Sequence, residues 1–126
     1  GGSPKLGQGT ACTAEERRRR EVGAMREAYR RRGGLVMEGL ADSPGRGPLR
    51  PDGGMFVMVD IRPTGLSAQA FADRLLDRHG VSVLAGEAFG PSAAGHIRLG
   101  LVLGAEPLRE ACRRIALCAA ELLGQA

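Results

Sequence analysis

With 126 residues and a mass of 13.2 kDa, the chain is long enough for one compact domain and too short for two ordinary ones. Its 43% hydrophobic and 25% charged residues argue against a wholly disordered chain, and no apolar run approaches the roughly 18 residues of a membrane-spanning helix. The net charge of +4 lies in residues 15–32, where eight arginines face four glutamates, and we expect no membrane partner.

Residues 1–12 are small and polar, with no clear period. They include neither a start methionine nor the apolar centre of a signal peptide. We therefore interpret residues 1–12 as a tag or flexible remnant, and residues 13–126 as a single domain.

A long helix is predicted to follow, because Thr13 and Glu16 have the spacing of a capping box. Its apolar residues form one stripe, which we expect to pack on a sheet: Val22, Met25, Tyr29, Val36 and Leu40. The pair Gly33 and Gly34 interrupts the helix, so either the helix kinks there or two shorter helices meet.

Three strands and two more helices complete the predicted order α-β-α-β-β-α. The strands are predicted over residues 55–61, 81–84 and 96–103, and the first is apolar enough to be buried on both faces. The second helix follows Ser67 and should turn Phe71, Leu75 and Leu76 inward. The last helix has the apolar stripe Leu108, Ala111, Cys112, Ile115, Ala119 and Leu122. This pattern predicts an α+β fold of two layers, with three helices on a small three-stranded sheet.

The three cysteines, Cys12, Cys112 and Cys118, are an odd number without a CxxC pair. We expect reduced, buried thiols, which are typical of a cytosolic protein. The two histidines, His79 and His96, lie far from any cysteine in sequence, so we predict no metal site.

The arginine-rich helix has two interpretations. A run such as Arg17–Arg20 could bind nucleic acid, but glutamates are interleaved with the arginines. The pairs Glu16–Arg20 and Glu27–Arg31 have helical spacing and favour a solvated surface. We therefore predict no nucleic-acid partner.

Arg98 is the most informative residue for function. It lies in the middle of an apolar strand, where His96, Arg98 and Gly100 share one face. A guanidinium there could bind a carboxylate ligand bidentately, or it could pair with a carboxylate of its own chain. If it binds a ligand, the ligand-free guanidinium should face solvent.

Three motifs carry a resemblance to a known family: RPDGGMF at 50–56, GEAFG at 86–90 and GHIRL at 95–99. In this order and spacing they resemble the C-terminal small domain of fold-type-I aminotransferases, which depend on pyridoxal phosphate (PLP). Within that family the chain is most similar to the bacterial arginine–pyruvate aminotransferases.

The resemblance implies that Arg98 binds the α-carboxylate of the substrate. It implies that residues 85–90 approach the substrate, that residues 13–40 form the interdomain helix, and that a large domain is the partner of this one. It also implies a cytoplasmic enzyme.

The chain departs from this family in its lysines. PLP enzymes form a Schiff base with a lysine, and the only lysine here is Lys5, in the context SPKLG. The serine-rich context of the family's lysine is absent, as are its phosphate cradle and the acid for the pyridine nitrogen. We therefore predict no cofactor in this chain and no transaminase activity of the chain alone.

The N-terminal third also looks unlike a helix that packs on a large domain, because charge and glycine replace apolar residues. We hypothesise an excised and altered domain. Either the changes provide solubility, or the domain is an engineered scaffold that binds a protein partner or a second copy. In the second case the interface would include Arg17, Arg20, Gly33 and Gly34.

Overall fold

A computed structural model describes residues 13–43, 49–52 and 54–124. The predicted remnant over residues 1–12, with Lys5 and Cys12, lies outside the described residues. The described elements, in chain order, are helix α1 (Ala14–Gly39), strands β1 (Leu49–Asp52) and β2 (Phe56–Asp60), helix α2 (Ala68–His79), strands β3 (Leu84–Ala85) and β4 (His96–Gly100), and helix α3 (Ala105–Leu122). None of these helices is long and apolar enough to span a membrane.

The predicted α+β class is confirmed, with one strand more than the sequence suggested. The sheet has the order β1-β2-β4-β3, and every neighbouring pair is antiparallel. The additional strand β1 contains Pro51, which pairs with Val57 and lacks the amide donor of an ordinary ladder residue. Proline is tolerated on an edge strand, and β1 is an edge strand of this sheet.

The core lies between the helices and one face of the sheet. Strand β2 contributes Val57 and Val59, and their partners on β4 are Leu99 and Ile97. All four are almost completely buried. The helices cover this face with residues that include Val36, Leu40, Phe71, Leu75, Leu108 and Ile115. The predicted burial of β2 on both faces is also confirmed, because Met58 on the opposite face is 4% exposed.

The described thiols are buried, as predicted. Cys112 and Cys118 of α3 are free cysteines within the core. Burial raises the pKa of the Cys112 thiol to about 11, so the unreactive thiol form predominates at neutral pH. Both residues therefore act as small apolar side chains in the packing of α3.

The predicted apolar stripe of α1 packs only over the C-terminal half of the helix. Val36 and Leu40 are 0% exposed, whereas Val22 is 39% and Met25 is 53% exposed. Tyr29 lies at the transition and is partly buried against the core. The prediction for Val22 and Met25 was wrong because the rest of the described chain reaches only the later turns of the helix. Every described residue from 13 to 26 is exposed.

Local signals set the ends of the helices. The capping box of α1 is present, with Glu16 N donating to Thr13 Oγ1 at 2.9 Å and Thr13 N donating to Glu16 Oε1 at 2.7 Å. The helix then continues through Gly33 and Gly34, so the alternative of two shorter helices is wrong. Ser67 caps α2 through Ala70 N at 3.1 Å.

Two predictions around α2 need correction. Leu75 is 0% exposed as expected, but Leu76 is 55% exposed, since adjacent helical residues point in different directions. The short strand was predicted over residues 81–84 and is observed as Leu84–Ala85. Val81 and Val83 instead pack against the core from an irregular segment.

The adjacent leucines of α2 provide a matched test of this packing. We expect Leu75→Ala to lower the free energy of unfolding by about 2–5 kcal/mol, because it leaves a cavity in the core. Leu76→Ala removes the same atoms at an exposed position and should change the free energy of unfolding by less than about 0.5 kcal/mol. Urea denaturation of the two variants measures both values. Equal losses would contradict the described orientation of α2.

Candidate functional site

The face of the sheet opposite the core carries the candidate site. Met58 pairs with Arg98 and Asp60 pairs with His96 across β2 and β4. Directly opposed residues of antiparallel strands project to the same face, so these four side chains lie together. The predicted alternation of β4 is confirmed, since Ile97 and Leu99 belong to the core on the other face.

Two aromatic rings hold the Arg98 guanidinium. Its Cζ atom lies 3.5 Å from the centre of the Phe56 ring and 4.2 Å from the centre of the Phe89 ring. Arg98 is partly buried, and the expectation that its ligand-free guanidinium faces solvent stays a prediction. A cation on an aromatic face gains about 0.5–1 kcal/mol at exposed sites and more where water is excluded. Contacts with both rings restrain the orientation of the guanidinium.

Phe89 reaches Arg98 because its backbone turn is tightly packed. The single 3-10 turn Gly86–Phe89 begins at Gly86, where an added Cβ would lie 1.9 Å from Ala93 O and 2.7 Å from His96 O. Only glycine fits so close to that backbone. Glu87 Oε2 also accepts a hydrogen bond from Gly95 N at 2.8 Å. These contacts attach the turn to the segment that leads into β4.

The buried carboxylate of Asp60 lies beside this site and was not among the residues predicted from the sequence. Asp60 is 4% exposed and accepts hydrogen bonds from Arg62 N at 3.0 Å, Arg62 Nε at 2.9 Å and Arg62 Nη2 at 2.6 Å. The Arg62 side chain holds the pKa of the Asp60 carboxyl below its ordinary value of 3.8, against the opposing effect of burial. The sequence signal for this pair was the two-residue spacing of Asp60 and Arg62.

His96 completes this end of the face. The ring is buried, and Nδ1 lies 2.9 Å from the carbonyl oxygen of Ala94. Because a carbonyl only accepts, the hydrogen bond requires a proton on Nδ1. A groove of about 470 Å³ runs along Asp60, Arg62 and His96. Within residues 13–43, 49–52 and 54–124, no three histidine, cysteine or acidic side chains lie together as metal ligands would.

The proposed partner face on α1 extends over most of the helix. Arg17 and Arg20 are exposed near the start of the helix, while Gly33 and Gly34 lie in its second half. Gly33 is about 24 Å along the helix axis from Arg17 and about 160° around it, whereas Gly34 is about 21 Å along the axis from Arg20 and only about 40° around it. Gly33 therefore lies apart from the other three residues, and the interface stays a prediction.

Both predicted charge pairs of α1 interact. Arg31 Nη1 lies 3.7 Å from Glu27 Oε2, as expected. The Glu16 carboxylate accepts the capping-box hydrogen bond from Thr13 N, and the charge of Arg20 also helps to lower the Glu16 pKa. In addition, Glu15 pairs with Arg19 at 3.7 Å. Each exposed pair contributes only a few tenths of a kcal/mol.

The contribution of the Asp60 carboxylate to stability can be tested by changing the pH. Because the folded-state pKa of Asp60 is lowered, its ionised form stabilises the fold above pH 3.8, and that stability is lost as the pH falls through the folded pKa. We expect the melting temperature of the wild type to drop more steeply than that of Asp60→Asn from about pH 4 to 2. Thermal unfolding by circular dichroism measures both slopes. Asp77→Asn, at an exposed position, should keep the wild-type slope.

Almost the whole sequence resembles known proteins of one family. The family described as "Aminotransferase class I and II" matches residues 5–115. Arginine–pyruvate transaminase AruH of Pseudomonas aeruginosa is 86% identical over 125 residues, which are 99% of this chain and 32% of that protein. An aspartate/prephenate aminotransferase of Thermus thermophilus is 41% identical over 106 residues, 84% of this chain and 26% of that protein. The chain spans about a third of the length of these relatives.

Solved structures give the same result for the fold. The aromatic aminotransferase of Pyrococcus horikoshii superposes with a TM-score of 0.76 at 31% identity, covering 88% of this chain and 29% of that one. The aspartate aminotransferase of Thermus thermophilus, solved with maleate, gives a TM-score of 0.72 at 40% identity. That match covers 84% of this chain and 27% of that one.

Proposed function

Because the chain belongs to the class I and II aminotransferase family, we propose that it is the small domain of such an enzyme and that Arg98 binds the α-carboxylate of the substrate. The observation that carries the proposal is the position of Arg98 between Phe56 and Phe89. The 86% identity to arginine–pyruvate transaminase AruH supports arginine and pyruvate as the substrates of the complete enzyme.

The geometry of the site suits a carboxylate. A guanidinium donates parallel hydrogen bonds in its own plane, which matches the two oxygens of a carboxylate. The ring centres of Phe56 and Phe89 lie 3.5 and 4.2 Å from the Arg98 Cζ atom, and each ring replaces water on the part of the guanidinium that it covers. Lower polarity strengthens an ion pair that forms there. The related Thermus enzyme was solved with maleate, a dicarboxylate.

The cofactor chemistry of the family requires a lysine outside the described residues. PLP supplies an electron sink for the amino-acid carbon once it is bound to the enzyme. Residues 13–43, 49–52 and 54–124 contain no lysine, so they do not provide the Schiff-base group. We propose that a large domain holds the cofactor and is the partner of the small domain. The reduced thiols Cys112 and Cys118 are consistent with a proposed cytoplasmic location.

The alternative of an engineered binding module has no observation in its favour. The alignment with the Pseudomonas enzyme extends over 125 residues, and therefore spans the N-terminal third, with 86% identity overall. We therefore retain the aminotransferase small domain as the proposed function.

The carboxylate role can be tested on the chain itself by NMR. We expect maleate to shift the Arg98 side-chain Nε–Hε signal with a dissociation constant on the order of millimolar, since one ion pair supplies most of the affinity. The methyl diester of maleate, which lacks the charge, should cause no shift. Arg98→Gln assigns the signal, and Arg114, which donates to His79 O at 2.8 Å, is the internal control. A response at Arg114 without one at Arg98 would contradict the proposal.

The proposal that a large domain holds the cofactor gives a second test. With added PLP, arginine and pyruvate, we expect no alanine from the 126-residue chain, because its one lysine, Lys5, lacks the serine-rich context of the family's Schiff-base lysine. The complete arginine–pyruvate transaminase of Pseudomonas aeruginosa serves as the positive control. PLP-dependent alanine formation by this chain, measured by chromatography, would refute the proposal that the cofactor is held by a large domain.

A further inference from the structure

A second cavity, which Arg98 does not line, lies between α1 and the sheet. It has a volume of about 460 Å³ and lies beside the C-terminal half of the helix. Its apolar lining consists of Tyr29, Gly33, Met37, Phe56, Val57 and Leu101. The volume lies within the roughly 300–1,000 Å³ of small-molecule sites, and the mostly apolar lining is also typical of them. We call this cavity the helix groove.

Gly33 keeps the helix groove open. A Cβ at this position would lie 3.8 Å from Leu101 Cδ1, which is ordinary van der Waals contact. A longer side chain at residue 33 would therefore extend into the space between α1 and Leu101. A large side chain at residue 33 would therefore fill part of the groove, although a glycine inside a helix costs about 1 kcal/mol relative to alanine.

The rim of the helix groove is cationic. Arg26 and Arg30 both line it, and Arg26 lies two helical turns before Gly33 on the same side of α1. Glu27 is shared between Arg30 and Arg31, so one carboxylate faces two arginines. Arg26 makes no ion pair with a carboxylate in the part of the chain that the structure describes. The rim therefore has an excess of positive charge.

We propose that the helix groove binds a small amphiphilic carboxylate. Its alkyl chain would lie on Met37, Val57 and Leu101, and its carboxylate would pair with Arg26 and Arg30. A second copy of this chain is a poorer occupant, because it would bring another chain of net charge +4 against the same rim. The inference does not depend on the role of Arg98.

Decanoate is the probe, with 1-decanol as the uncharged control of equal length. Isothermal titration calorimetry of the full chain should show one decanoate per chain, bound at least about tenfold more tightly than 1-decanol. The melting temperature should rise with decanoate concentration, as expected for a ligand that binds the folded state. Equal affinities for the acid and the alcohol would overturn the assignment of the arginines.

Matched variants locate the ligand. Gly33→Leu fills the helix groove and should weaken decanoate at least about tenfold, whereas Gly23→Leu, in open space on the same helix, should leave the affinity within about twofold. The double variant Arg26→Gln/Arg30→Gln should weaken decanoate about tenfold, and Arg17→Gln/Arg18→Gln should not. The comparison of these two double variants tests the proposal even if Gly33→Leu does not fold.

Two further results would overturn the proposal. If Arg98→Gln abolishes decanoate binding while Gly33→Leu does not, the carboxylate binds at Arg98 and not in the helix groove. If sedimentation shows a dimer that Gly33→Leu dissociates and decanoate does not, a second copy occupies the groove. Unchanged decanoate affinity in Arg98→Gln supports the proposal independently of the maleate experiment.

Discussion

The close approach of Gly86 to the backbone of Ala93 and His96 is the constraint on which the candidate site depends. There is no room for a side chain at this point, since a Cβ would lie 1.9 Å from the nearest carbonyl oxygen. The turn Gly86–Phe89 is consequently held against the segment that leads into β4, and the Glu87 carboxylate adds a hydrogen bond to Gly95 N. Phe89 can then contact Arg98 without belonging to the sheet. A side chain at position 86 would move this ring and leave the guanidinium with one aromatic neighbour in place of two.

Strand β4 joins the core to the site. Ile97 and Leu99 are nearly completely buried beneath the helices, and His96 and Arg98 alternate with them on the other face. A strand anchored by two core residues has little freedom to change register, because a slip of one residue would move the apolar pair to the wrong face. The stability of the core therefore determines the position of Arg98. This arrangement suits a residue that must bind a carboxylate with defined geometry.

Helix α1 serves different purposes along its length. Its last turns contribute Val36 and Leu40 to the core, while the described residues before Glu27 are exposed and strongly charged. The helix groove lies where these two parts meet. Phe56 belongs to both sites, since its ring lines the helix groove and also contacts the Arg98 guanidinium. The two proposed ligand sites of this small domain are therefore neighbours that share one aromatic side chain.

Local patterns in the sequence determined much of this protein. The Thr13 capping box, the Ser67 cap and the alternation along β4 depend on residues close in the chain, and the structure agrees with all three. The three motifs likewise identified the aminotransferase family, which the comparisons confirm.

Only the tertiary structure decided which apolar positions have a neighbour to cover them. Periodicity assigned Val22, Met25 and Leu76 to apolar faces, but the described chain does not cover them. The surroundings of Arg98 were likewise decided by the fold, because Phe56 reaches it from a different strand and Phe89 from a turn outside the sheet. A helical or strand period specifies the direction of a side chain relative to its own element. It contains no information about what the rest of the fold brings to that side, since this depends on contacts between residues far apart in sequence.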